Sequence, residues 1–326
     1  MNSTHLCKRL LRTISLASLL LCGAAAQSSS RPQVWFSPLD TLLRPEVGYG
    51  GSPQYMDLFQ PAAPWSHAAA KVNVFKIYPQ WIGHATDEQL KAQFADLKRR
   101  DIKLALEYGV LSEGRDCSVG LLGEGAQGNH LLNAARRIQQ DGGELAYLAM
   151  DEPFFFSTMS PKPDACRWTV DRAAADAASH IREAMTVFPN LQVGDIEPVG
   201  FSKLPLDQEM ATYASGLLKL QQAIGKPLAF FHADVNWNTR PEQAVTAGRD
   251  LSQKVGTTYG VIIDGFTADR TDAQWIQDAK SHLDLVRANT SSSTTLVYQS
   301  WHPHPQKLMP DDAPDSFTGF LNSTAP

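Results

Sequence analysis

The sequence contains few cysteines, no strong excess of either charge and only one long apolar run. Its 326 residues include four cysteines, and the formal net charge is −5. A nucleic-acid-binding protein needs a basic patch or stripe, which a slightly acidic composition does not favour. Beyond the first 26 residues, no stretch is both apolar and long enough to form a transmembrane helix. The composition therefore indicates a soluble globular protein that neither binds nucleic acid nor spans a membrane.

The one long apolar run lies near the N-terminus and is typical of a signal peptide. Basic residues precede Ile14–Leu21, a run that is too short to span a bilayer. The small residues Ala24–Ala26 then fit the cleavage site of a signal peptidase. We therefore predict a signal peptide over residues 1–26 and a secreted or periplasmic protein. Lipid attachment at Cys22 is the alternative, which the bulky Leu21 before it disfavours.

The two cysteines that remain after removal of that segment, Cys117 and Cys166, predict a disulfide. In an oxidising compartment an even number of cysteines favours pairing, with two unpaired loop thiols as the alternative. Their spacing does not fit a zinc site, and the chain has no Cys-x-x-Cys motif. We expect neither a bound metal nor a cofactor.

Short apolar runs alternate with helical stretches along residues 27–326. Each run is a few residues long and rich in β-branched, aromatic or leucine side chains, which favours a strand over a helix. The predicted strands are Val34–Ser37, Val72–Tyr78, Ile102–Tyr108, Leu145–Met150, Leu191–Glu197, Leu228–Val235, Gly260–Phe266 and Thr294–Trp301. The stretches between them carry helix-start signals, among them a capping box at Thr86, Pro241 in a first turn and the N-cap Thr271.

Eight alternating strand and helix units predict an α/β fold with a parallel sheet, which is either open and doubly wound or closed into a barrel. A doubly wound dinucleotide-binding fold would carry a glycine-rich phosphate loop after an early strand, and none follows Ser37 or Tyr78. No change in composition divides the chain. We therefore predict a (β/α)8 TIM barrel with a single domain over residues 27–326, and we expect a monomer.

The ends of the predicted strands are polar, and in a barrel of this kind the active site lies at the carboxyl ends of the strands. The polar strand ends are Glu107-Tyr108, Asp151-Glu152, Asp195-Ile196-Glu197, His232 to Trp237, Asp264 and Gln299 to Trp301. Carboxylates at strand ends can instead cap loops or pair with lysine and arginine. Burying so many of them without a role would be costly, because each desolvated charge needs a partner. The pattern favours a functional cluster.

Strand periodicity predicts which side chains face into the barrel, because residues two apart share a face. In the fifth strand we predict that Asp195 and Glu197 face the interior, with Ile196 against the helices. The same alternation predicts an inward direction for Lys76, Tyr78, Glu107, His232 and Asp234.

At these strand ends the chain resembles the large clan of (β/α)8 glycoside hydrolases that carry an acid/base glutamate after strand four. That clan reads Asn-Glu-Pro at this place, and this chain reads Asp151-Glu152-Pro153. The clan places a nucleophilic glutamate at the end of strand seven, where this chain has Asp264. The aromatic platform at the end of strand eight is matched by Trp301.

The resemblance implies a glycoside hydrolase or transglycosylase that acts on an oligosaccharide or polysaccharide, and the predicted signal peptide implies that it is secreted. Glycosidic cleavage needs one protonated and one ionised carboxyl group, and crowded carboxylates push their pKa values apart. We predict Glu152 as the general acid and Asp264 as its partner, with Glu197 as the main rival because Asp264 is one methylene short. The residues predicted to bind the sugar are Tyr78, Lys76, Glu107, Asp151, Asp195, His232, Asp234, Trp237, Gln299 and Trp301.

Two other functions fit the same residues. Lys76, Glu107 and the carboxylates after strands four and five could hold a divalent metal, as in barrel lyases and isomerases. The predicted export signal and the missing N-terminal capping domain count against that function. A barrel that binds glycans without cleaving them is the third possibility.

Overall fold

The strands of the protein close into a parallel barrel. A computed structural model of the chain describes residues 32–41, 51–112, 127–162 and 165–326. Its strands are β1 (Val34–Ser37), β2 (Val74–Ile77), β3 (Lys103–Tyr108), β4 (Leu145–Asp151), β5 (Gln192–Val199), β6 (Phe230–Val235), β7 (Thr258–Ile263) and β8 (Thr295–Gln299). Each strand pairs in parallel with the next, and β8 pairs with β1. The fold is therefore the predicted (β/α)8 barrel.

Helices follow the strands and cover the outside of the barrel. They are α1 (Ser66–Ala69), α2 (Pro79–His84), α3 (Asp87–Arg99), α4 (Gly128–Gln140), α5 (Val170–Val187), α6 (Leu206–Ile224), α7 (Pro241–Val255), α8 (Asp272–Asn289) and α9 (Phe317–Thr324). A 3-10 turn at Met56–Phe59 and a π-helical segment at Phe155–Met159 complete the helical elements of the described ranges.

Three helix starts confirm the sequence signals. Thr86 and Gln89 form the reciprocal capping box of α3, with the Thr86 side chain accepting the Gln89 N–H. Pro241 occupies the first turn of α7, and the Thr271 side chain accepts the Gln274 N–H at the start of α8. These caps fix where the chain leaves the strand ends and turns back along the barrel.

Apolar side chains fill two separate layers. The inner layer packs inside the barrel and consists of Trp35, Val74, Ala105, Tyr147, Ala149, Ile196, Phe230, Ile262 and Val297. The outer layer packs between strands and helices and includes Phe75, Ile77, Leu104, Leu106, Ala233 and Val235. In β2, β3 and β6, the side chains that face the helices and those that face the barrel interior are the ones that the predicted alternation gives.

The prediction for β5 is wrong, because Ile196 belongs to the inner layer. Gly194 also faces inward, since a Cβ built there would lie 2.4 Å from the Phe230 ring. Side chains alternate along a strand, so Asp195 and Glu197 point toward the helices. They share that side with Val193 and Val199, which pack in the outer layer.

Two predictions fall wholly or partly outside the described residues. The predicted signal peptide, residues 1–26, lies outside them, and so does Cys117 of the predicted disulfide. Cys166 is described and packs against the outer layer. Within the described ranges, no helix is long and apolar enough to cross a membrane.

Candidate active site

A cleft of about 200 Å³ opens at the carboxyl ends of the strands. It brings together seven of the residues that the sequence singled out: Tyr78, Glu107, Asp151, Glu152, Asp234, Gln299 and Trp301. They come from five strand ends, those of β2, β3, β4, β6 and β8. Four of the seven are carboxylic acids, so the cleft has the crowded carboxyl groups that acid–base chemistry needs.

Glu152 reaches this cleft through an unusual backbone conformation. Asp151 faces inward at the end of β4, so a continued strand would direct Glu152 toward the helices. Its φ of 54° lies instead in the left-handed region, and both side chains line the cleft. A non-glycine residue there costs on the order of 1–3 kcal/mol, and such strain concentrates at functional sites. The left-handed conformation therefore places the Glu152 carboxyl in the cleft beside that of Asp151.

Glu152 and Asp234 form an electrostatically coupled pair in the cleft. Burial and then the charge of Asp234 raise the pKa of Glu152 well above its usual range. Burial raises the pKa of Asp234 to about 7. An ionised Asp234 therefore favours the protonated form of Glu152.

A buried ion pair includes Glu107, one of the carboxylates that line the cleft. Lys76 faces inward, is fully buried and donates hydrogen bonds to Glu107 and to Gln299 Oε1. Gln299 Nε2 in turn donates to Glu107 Oε2 at 3.1 Å. Each charged group in this triad is hydrogen-bonded, as burial demands. The ammonium of Lys76 also lowers the pKa of Asp234, which links the triad to the cleft.

Aromatic side chains form one wall of the cleft. Tyr78 packs with Leu39, and the ring of Trp301 is partly buried against them. The Tyr78 hydroxyl donates to the Ser300 carbonyl oxygen at 3.1 Å, which fixes its ring at the end of β8. The partly exposed ring of Trp301 at this polar rim suits the apolar CH face of a sugar.

Asp264, the predicted partner of Glu152, lies beside the cleft and does not line it. It is buried at the end of β7, and its Oδ1 accepts the indole N–H of Trp237 at 2.6 Å. The Trp237 ring is stacked on His282 with centroids 4.1 Å apart. Trp237, which was predicted to bind the sugar, does not line the cleft.

Glu197 and Asp195 lie behind the barrel wall, so the prediction that they line the cleft is wrong. Both are fully buried on the helix side of β5. The oxygens of Glu197 accept the backbone N–H groups of Phe154 at 2.7 Å and Phe155 at 2.9 Å. Burial is the main cause that raises the pKa of each of these carboxyl groups.

His232 faces the barrel interior as predicted but does not line the cleft. It lies one layer below Asp234, fully buried, with its ring stacked on Phe230 and edge-on to Trp35. Burial and the nearby Lys76 lower its pKa well below the usual range. A neutral ring in this position contributes to the core of the barrel.

The residues of the alternative metal site are brought together only in part, because Glu107, Asp151 and Glu152 line the cleft and Asp195 and Glu197 do not. Glu107 is paired with Lys76, and the barrel wall separates Asp195 and Glu197 from Asp151. In the part of the chain that the structure describes, no group of three or more histidine, cysteine or acidic residues could hold a metal ion.

Sequence reasoning missed several uncharged residues of the cleft. Gln80 and Gln127 line it at the starts of α2 and α4, and Ile196 and Ile262 form its floor. Ile196 could have been placed correctly, because the odd-numbered positions 191, 193 and 199 of β5 are all apolar wall residues. Nothing in the sequence indicates the two glutamines, which follow the strand ends in loops or first turns.

Comparison with known proteins identifies the fold and no family. No protein-family model and no curated protein matches the sequence. Fungal β-1,4-galactanases are similar in structure, with a TM-score of 0.53, 10% identity, and coverage of 90% of this chain and 100% of theirs. GH5_18 from Streptomyces cattleya, solved with GlcNAc, has a TM-score of 0.48 and 12% identity over 83% of this chain and 71% of that one. A D-psicose 3-epimerase, solved with D-fructose, has a TM-score of 0.43 and 10% identity over 83% and 85%. At these identities the likeness shows the barrel fold, which glycoside hydrolases share with other enzymes.

Proposed function

We propose that the protein is a glycoside hydrolase in which Glu152 is the general acid and Asp234 is its ionised partner. The observation that carries the proposal is that Glu152 and Asp234 line one cleft, where burial and the charge of Asp234 raise the pKa of Glu152 well above its usual range. Glycosidic cleavage requires one protonated and one ionised carboxyl group. The fold and the aromatic wall of the cleft are consistent with it.

The geometry favours Asp234 over Asp264 as the partner. Asp234 lines the cleft together with Glu152 and raises its pKa, whereas Asp264 accepts a hydrogen bond from Trp237 and does not line the cleft. Glu152 would protonate the leaving oxygen as the bond to the anomeric carbon breaks. Asp234 would attack that carbon, and water activated by Glu152 would then release the sugar.

This assignment implies retention of the anomeric configuration. Inverting enzymes separate their carboxyls by about 6.5–9.5 Å to admit a water molecule, and retaining enzymes by only about 5–5.5 Å. A nucleophilic role for Asp234 requires the shorter of these separations. Proton NMR of the first product released should show the retained anomer.

The test of the acid is a comparison of two substrates with different leaving groups. Glu152→Gln keeps the shape of the side chain and removes its proton. Activity on a natural-type oligosaccharide should fall by about 10²–10⁴-fold, because its leaving oxygen needs protonation. An activated aryl glycoside needs little protonation and should lose far less. An equal loss on both substrates would disprove the role of Glu152.

The partner should behave differently. Asp234→Asn should abolish turnover of both substrates, because a better leaving group does not replace a missing nucleophile. Asp264→Asn is the matched control, since it removes a neighbouring buried carboxylate outside the cleft lining. If Asp264→Asn is inactive on both substrates while Asp234→Asn stays active, the partner is Asp264, as the resemblance alone implied.

A further inference from the structure

The carboxyl group of Glu197 joins β5 to the turn that follows Glu152. It is fully buried on the helix side of the barrel wall and accepts the N–H groups of Phe154 and Phe155, one on each oxygen. Both N–H groups belong to the first turn after β4, where backbone donors have no partner within the helix. One side chain therefore anchors the start of that turn.

The main chain of Glu152 is held from the same strand. Its N–H donates to the Ile196 carbonyl oxygen at 3.0 Å, and Ile196 directly precedes Glu197. Its own carbonyl oxygen accepts the Phe156 N–H at 3.2 Å. Strand β5 thus holds the segment on both sides of the left-handed residue, through its main chain on one side and through Glu197 on the other.

We propose that Glu197 is a positioning residue that holds Glu152 in its left-handed conformation and so directs the Glu152 carboxyl into the cleft. The inference rests on the proposed function, in which Glu152 is the general acid. Without the two hydrogen bonds to Glu197, the turn can relax toward an ordinary backbone conformation. Relaxation would return the Glu152 side chain toward the helix side of β4, where it cannot reach a substrate.

A second buried carboxyl on the same side of the barrel provides a matched control. Glu209 on α6 accepts the N–H of Gly200 at 2.7 Å and of Ser202 at 3.3 Å. It therefore anchors a loop by backbone hydrogen bonds as Glu197 does, but that loop follows β5 and does not carry Glu152. Loss of either carboxyl should weaken the fold, and only loss of Glu197 should act on the acid.

The test measures kcat and KM for Glu197→Gln and Glu209→Gln on an oligosaccharide and on an activated aryl glycoside. Glu197→Gln keeps the volume but leaves one N–H group facing an amide NH₂ group. We expect kcat on the oligosaccharide to fall about 10-fold or more, below the loss for removing the acid itself. KM should stay within about twofold, and kcat on the aryl glycoside should change little.

The control separates positioning from a general loss of structure. Glu209→Gln should reduce activity on both substrates by the same factor. If Glu197→Gln lowers kcat by the same factor on both substrates, the inference is overturned and Glu197 is only a structural residue. If Glu152→Gln itself shows no dependence on the leaving group, the proposed function fails. If the loss for Glu152→Gln depends on the leaving group and the loss for Glu197→Gln does not, only the positioning role fails. Should Glu197→Gln not fold, Glu197→Asp takes its place, since its shorter side chain withdraws the oxygens from the two N–H groups.

Discussion

Single residues at the strand ends were predictable where one side of a strand was clearly apolar. The apolar Phe75 and Ile77 predicted correctly that Lys76 and Tyr78 face the barrel interior. In the same way, Leu104 and Leu106 predicted the inward direction of Glu107. The conformation of Glu152 was not predictable. Proline at position 153 favours an extended residue before it, and the left-handed φ depends on contacts with β5.

The pH dependence of activity follows from the raised pKa values of Glu152 and Asp234. Asp234 has to be ionised to act, so kcat/KM should rise as the pH increases through about 7. Glu152 has to be protonated, so kcat/KM should fall at the higher pH where it loses that proton. A bell-shaped profile whose acidic limb lies near 7 is expected for the pair. An acidic limb near 4, the ordinary range of a carboxyl group, would contradict the coupling.

The buried ion pair of Lys76 and Glu107 should make a large contribution to stability. Lys76→Met leaves Glu107 buried without its cationic partner, which costs about 3–5 kcal/mol in such sites. Urea-induced unfolding should show a loss of this size. Lys91→Met is the control, because the Lys91 side chain is 57% exposed and lies 3.7 Å from Asp141, so its loss should cost less than about 1 kcal/mol. Similar losses of unfolding free energy for the two variants would show that Lys76 does not stabilise the fold as the buried partner of Glu107.

At the scale of elements, the number, order and type of the strands followed from the sequence. All eight predicted strands overlap the observed ones, because short β-rich runs between capped helices have few other solutions. The direction of the side chains in β5 did not follow from the sequence. The prediction turned the carboxylates of this strand inward, although Leu191, Val193 and Val199 on the same side are apolar. Buried carboxylates can serve the outer wall of a barrel when backbone N–H groups satisfy them, as those of Phe154 and Phe155 do for Glu197.

The predicted Cys117–Cys166 disulfide would connect the segments that follow two paired strands. β3 and β4 lie side by side in the barrel, so both segments begin at the same end. Peptide mapping of the unreduced protein should recover the two cysteines in one linked peptide. Reduction should lower the free energy of unfolding by about 2–5 kcal/mol, because the unfolded chain gains freedom. Recovery of both cysteines as free thiols would disprove the bridge.

At the scale of the whole molecule, the sequence also predicts export and a monomer. Cleavage after Ala26 should give a mature chain that begins at Gln27, and mass spectrometry of the exported protein measures this directly. Light scattering should report the mass of one mature chain. A lipid-modified N-terminus at Cys22 would contradict simple export.

The central claim is that Glu152 and Asp234 cleave a glycosidic bond with retention through a covalent intermediate. The most direct test uses an activated 2-deoxy-2-fluoro glycoside, matched to the best of a panel of aryl glycosides, to trap that intermediate for peptide mass spectrometry. Fluorine slows both steps, and the activated leaving group restores only the first, so the sugar–enzyme ester accumulates. We predict that the sugar is attached to Asp234 and that Asp234→Asn is not labelled. Attachment to Asp264, or an inverted product without any covalent adduct, would contradict the claim.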